Sequence, residues 1–135
     1  MKFLLPITFV TCLLLSACAT TAPIPLAAEL QHHWQLTGMD GAPVKTTLDS
    51  EITFGSDLKV SGRAGCNQFF GHAELHQTTL TAQPLGVTMM ACAPAAQKIE
   101  SAVLDTLNHG ATASVRGNQL RLVGRDHDLV YSRMP

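Results

Sequence analysis

Two cysteines sit where side-chain chemistry is conceivable. Cys66 lies in "GRAGCNQFFG", Gly62 to Gly71, beside Asn67 and six residues before His72, and Cys92 lies in "TMMACAP", Thr88 to Pro94. A cysteine, histidine and asparagine set can catalyse acyl transfer, with a thiolate nucleophile, an imidazole base and an amide to orient it. That chemistry requires a histidine able to reach the sulfur and a thiol that stays reduced. Here the three residues are sequence neighbours and Cys92 competes for the thiol. A zinc site is weaker still, because neither cysteine belongs to a C-x-x-C or H-x-x-x-H pair of metal-binding spacing. The remaining role for the pair is a disulfide, which depends on where the chain resides.

The first residues address that. "MKFLLPITFVTCLLLSAC" carries one positive charge at Lys2, an apolar run from Phe3 to Leu15, and small Ser16 and Ala17 before Cys18. This is the pattern of a secretory signal over residues 1–17, too short for the roughly 18 to 20 apolar residues that span a bilayer. Leu15 to Cys18 resembles the bacterial lipoprotein box, which implies cleavage before Cys18 and acylation of its sulfur, with the membrane as a partner through the lipid. Ala19, not an aspartate, then implies sorting to the outer membrane, with the domain facing the periplasm. Residues 18–29 are expected to form the lipidated cysteine and a flexible tether, its Pro-, Thr- and Ala-rich part reaching about 30 Å if stretched.

On this account Cys12 leaves with the signal and Cys18 is consumed by lipid, so Cys66 and Cys92 remain. An even pair in an exported, oxidising compartment favours a disulfide. Closing a loop of about 26 residues would stabilise the fold by about 3.5 kcal/mol in the chain-entropy model. A small domain has a thin stability margin, so one cross-link matters.

Two other clusters invite chemistry. "HAELH", His72 to His76, has its glutamate at Glu74 and reads as a strand. The zinc-protease signature needs glutamate directly after the first histidine, on a helix. His72, Glu74 and His76 are therefore expected on one solvated strand face. Asp126 and Asp128 lie near a hairpin turn without the signs of a pocket that paired catalytic carboxylates require.

These residues must be positioned by a small domain, residues 30–135. The apolar alternation gives strands at Trp34–Met39, "EITF", "LKVSGRAG", "FFGHAELH" and "TLTAQPLGVT", and three more in "ATASVRGNQLRLVGRDHDLVYSR". Between them, "APAAQKIESAVLDTLNHG" reads as a helix, with Pro94 in its first turn, Gly110 as its cap, and Ile99, Val103, Leu104 and Leu107 on one stripe. The expected fold is α+β: one compact domain, a mostly antiparallel β-sheet and one main α-helix. Within "GCNQFFG", Gly65 and Gly71 permit unusual backbone conformations, Asn67 can bond its own backbone in a turn, and Phe69 can plug the core. Phe70 cannot share Phe69's face in a regular strand; it is either exposed or buried through a local bend.

Composition narrows the partners. The formal charge of −1 becomes −2 without Lys2, leaving no basic stripe for nucleic acid. One tryptophan and one tyrosine are too few for an aromatic stacking platform. No cofactor or metal is implied.

"WQL" with "GMDGAPV", then "SGRAGCNQFFG", then "LGVTMMACA" before the helix resembles the META domain family, over residues 30–133. The resemblance implies a compact α+β fold and an envelope protein associated with heat shock and with tolerance of the antibiotic novobiocin. It supplies no catalytic residue or cofactor, so Gly65, Asn67, Phe69, Gly71, Met89 and Met90 carry over as framework positions.

The expected function is non-enzymatic: a tethered domain that supports outer-membrane integrity under stress by binding an envelope protein, a peptide or a small apolar ligand. The alternatives are a hydrolase using Cys66 or a carboxylate pair, and a purely structural lipoprotein. The candidate contact surface is Phe70 with Met89 and Met90, which carry more apolar bulk than loop-like positions require. The competing role for the methionines is to seal the helix against the sheet.

Overall fold

The computed structural model describes residues 22–135. The signal segment and Cys18 lie outside the described residues. Ten strands follow in chain order: β1 (His33–Met39), β2 (Ala42–Pro43), β3 (Glu51–Phe54), β4 (Lys59–Ala64), β5 (Asn67–His76), β6 (Thr79–Ala82), β7 (Gly86–Val87), β8 (Ala111–Arg116), β9 (Gln119–Gly124) and β10 (Asp128–Arg133). Helix α1 (Leu26–Leu30) precedes them and α2 (Pro94–His109) separates β7 from β8.

Every strand pairing is antiparallel, and β1 pairs with both β3 and β10. The sheet therefore returns on itself as a barrel, in the order β1, β3, β4, β5, β6, β8, β9, β10, with β2 added beside β1 and β7 beside β5. Closure removes most of the exposed strand edge that an open sheet would leave. The seam is narrowest between β6 and β8, which share the pairs Thr79 with Thr112 and Leu80 with Ala111.

Period-two alternation decides what enters the barrel. Trp34 and Leu36 from β1, Ile52 and Phe54 from β3, Phe69 from β5, Leu120 and Leu122 from β9, and Leu129 and Tyr131 from β10 are all buried. An eight-stranded barrel is just wide enough to be filled by side chains or to hold one small ligand. This one is filled, with Trp34, Phe54, Phe69 and Tyr131 among its largest fully buried side chains.

The two polar aromatics fare differently inside. The Trp34 indole N–H donates to the Leu30 carbonyl at 2.9 Å, whereas the Tyr131 hydroxyl has no hydrogen-bond partner. Burial pushes the pKa of that hydroxyl well above its ordinary value. The fold thus holds the proton more tightly than the unfolded chain does. Its stability is complete below the unfolded value near 10 and falls above it, by about 1.4 kcal/mol per pH unit. Because the chain has a single tyrosine, tyrosinate absorbance in an alkaline titration should rise only together with loss of the far-UV circular dichroism of the fold. Ionisation near pH 10 in a still-folded protein would contradict the burial.

The main helix begins at Pro94 in its first turn and ends at Gly110, whose φ of 90° suits glycine and whose N–H bonds Thr106 O. Ala96, Ile99, Ala102, Val103, Thr106 and Leu107 form its buried face. Thr106 is tolerated there because its hydroxyl donates to Ala102 O at 2.7 Å. The helix packs on β4, β6 and β9, so it covers the barrel end that carries the β4–β5 and β9–β10 turns.

Three local expectations need correction. The tether assigned to residues 18–29 ends sooner, because Leu26–Leu30 is helical and Leu30 is fully buried. "TLTAQPLGVT" is not one strand but β6 and β7, since Pro84 has no N–H to continue a ladder. Leu58 lies in a tight turn with φ of 54°, and β4 starts after it.

Candidate binding surface around Phe70, Met89 and Met90

The surface is built on the tight turn between β4 and β5. Gly65 takes φ of 72°, and a Cβ there would come within 2.5 Å of the Ala96 carbonyl oxygen. Glycine is required both for the turn and for the approach of the helix. The next residue, Cys66, is joined by a disulfide to Cys92, with their Cα atoms 6.0 Å apart.

Asn67 is the centre of the arrangement. Its own-backbone turn does not form; the side chain is buried and reaches across to the loop before α2. Its Oδ1 accepts from the Met90 N–H at 2.7 Å and the Thr88 hydroxyl at 2.9 Å. Its Nδ2 donates to Glu100 Oε2 at 2.8 Å and to Met90 O at 3.3 Å. The Thr88 hydroxyl also accepts from Gln68 N–H at 2.9 Å. Every lone pair and hydrogen of the amide thus has a use, as a buried polar group requires.

Phe69 and Phe70 follow the alternation of β5. Phe69 points inward over its cross-strand partner Gly62, where a Cβ would lie 2.7 Å from the ring. Phe70 points outward over its partner Gly86, where a Cβ would lie 2.4 Å from the ring. Phe70 is 61% exposed, so no local bend buries it. Gly71 has ordinary φ, and its role is steric: a Cβ would meet the Leu85 side chain at 2.9 Å and Pro84 O at 3.1 Å.

Met89 is 94% exposed and Met90 58%. Neither seals the helix against the sheet. The cause is a tertiary contact: Asn67 captures the backbone N–H and carbonyl of Met90, which turns the polar chain inward and leaves the side chains outside. Open clefts of about 320 and 500 Å³ flank Phe70. Glu51, Arg63 and Gln68 line one, and Lys59, Gly71 and His72 the other.

The other candidate residues are not assembled into a reaction centre. Cys66 has no free thiol, and His72 is an exposed residue of β5 that faces Lys59 in the ladder. His72, Glu74 and His76 share the outer face, with Glu74 and His76 3.6 Å apart. Among the described residues no three potential metal ligands come close enough to hold an ion. Asp128 is held by the Arg121 guanidinium, which keeps its carboxyl below the usual range; Asp126 pairs with Arg125 at 2.9 Å. Glu100 and Thr88 are participants the sequence reading missed. The available signal for Glu100 was its place one turn after Ala96, at the border of the helix's buried stripe.

This closed antiparallel barrel with one covering helix defines the class. The chain matches the META domain over residues 27–134 and belongs to that family. It is 34% identical over 123 residues to heat shock protein HslJ of Escherichia coli (strain K12), covering 88% of this chain and 87% of that protein. Two structures solved by NMR share the fold. One superposes with a TM-score of 0.71 at 33% identity, covering 79% of this chain and 93% of the other. A second, from Burkholderia xenovorans, gives 0.65 at 27% identity, covering 84% and 92%.

Proposed function

We propose that this META domain is a non-enzymatic outer-membrane lipoprotein, anchored through Cys18 and facing the periplasm, that supports the envelope under heat stress by apolar contact. The observation that carries this reading is the display of Phe70, Met89 and Met90 on a frame fixed by a disulfide and by Asn67. Exposed apolar side chains gathered on a small domain mark contact sites, and methionine adapts to varied partner surfaces. The filled barrel and the open clefts favour an apolar segment of an envelope polypeptide over a small ligand, which needs a pocket that encloses most of its surface. The similarity to a heat shock protein supports the stress setting, and the lipoprotein box supports the anchor.

Single replacements Phe70→Ser, Met89→Gln and Met90→Gln in the full chain should leave the melting temperature nearly unchanged, as exposed substitutions generally do. They should lower cellular tolerance of heat or novobiocin. Cys18→Ser should give an unprocessed precursor without lipid label and the same loss. Full tolerance in all three surface variants, or a loss that always accompanies more than about 2 kcal/mol of destabilisation, would sink the contact surface. Equal lipid labelling of Cys18→Ser would sink the anchor.

A further inference from the structure

We infer that Met89 and Met90 form an oxidation site, at which a two-electron oxidant such as a peroxide converts the thioether to a sulfoxide without disturbing the fold. Two observations select this pair. First, among the described residues the other sulfur, indole and phenol targets are withdrawn. Cys66 and Cys92 are already oxidised to a disulfide, Trp34 and Tyr131 are at most 1% exposed, and Met39 and Met134 are partly buried. Oxidation follows access to the sulfur, and Met89 at 94% is the most exposed large hydrophobic side chain among the described residues.

Second, the loop's anchorage does not involve the methionine side chains. Asn67 holds Met90 by its backbone N–H and carbonyl, and Cys92 holds the loop covalently. In the reaction the sulfur lone pair attacks the terminal oxygen of hydrogen peroxide, the O–O bond breaks, and after proton transfer water leaves. Sulfur loses two electrons and the peroxide gains them. The product is a polar sulfoxide on an unchanged backbone, so the exposed loop before α2 loses apolar character while the barrel stands. This consequence deepens the contact reading above and rests on it only for its cellular meaning.

The full-length protein would be exposed to limiting hydrogen peroxide, quenched and mapped by peptide mass spectrometry. Sulfoxide should accumulate at Met89 about tenfold faster than at Met39 or Met134, with Met90 between. The melting temperature should stay constant through the first two oxygens, while retention on a phenyl column falls to that of the Met89→Gln/Met90→Gln double variant. Met39 or Met134 oxidising in step with Met89, a melting temperature that drops with the first oxygen, or unchanged retention would each overturn the inference. Selective oxidation with lowered retention, together with full heat tolerance in the double variant, would uphold this chemistry and reject the contact function.

Discussion

Reduction of the Cys66–Cys92 disulfide is expected to lower stability by about 3.5 kcal/mol, a fall of roughly 15 °C in the melting temperature for a domain of this size. The two residues are 26 apart in sequence, so the cross-link removes the freedom of that loop from the unfolded ensemble. In the folded state the same loop is also held by Asn67, through Met90 and Thr88. The reduced protein should therefore keep its native circular dichroism and lose stability mainly through its unfolded state. Cys66→Ser, Cys92→Ser and the double variant should melt together with the reduced wild type, because each removes one and the same constraint. A melting temperature that ignores reductant would show that the network alone sets the loop.

The parts of this fold that sequence made legible are those whose signal is local. α2 carries its own start at Pro94, its own stop at Gly110 and a buried stripe at helical spacing. The β8–β9–β10 hairpins announce themselves by Leu120, Leu122, Leu129 and Tyr131 alternating across turn residues. Barrel closure is different. It pairs Trp34 with Arg133 and Leu36 with Tyr131, and no local pattern names a partner that far along the chain. The same limit governs the site. Alternation placed Phe70 opposite Phe69, which left exposure as one of two outcomes. The display of Met89 depends on an Asn67 amide reaching a loop more than twenty residues away. A turn-forming asparagine and a network-forming asparagine look alike in sequence, because the side chain's partners are tertiary.

That network makes the second large effect specific. Asn67→Asp keeps the shape of the side chain and the acceptor used by Met90 N–H and Thr88. It replaces the Nδ2 donor with an oxygen facing Glu100 Oε2, which stands 2.8 Å from that position. Two carboxylates at such a distance cannot both be ionised without large repulsion, and the Met90 carbonyl loses its donor as well. The expected loss at pH 7 is about 3 kcal/mol, the range for a buried charge left without compensation. The pH dependence has a definite sign. The pair shares a proton in the fold, so its folded pKa is raised above the unfolded carboxyl value near 4. The penalty is absent below that value and grows as pH rises through it. Lowering the pH from 7 towards 4 should accordingly narrow the gap between variant and wild type. Asn67→Asp combined with Glu100→Gln restores one donor facing one carboxylate and should recover most of the loss at pH 7, whereas Asn67→Ala, without the repulsion, should show a smaller loss that pH does not correct. If Asn67→Asp matches the wild type at pH 7, or if Glu100→Gln fails to rescue it, then Asn67 and Glu100 are not coupled and the loop that displays Met89 is held by the disulfide and the Oδ1 acceptor without the Nδ2 donor.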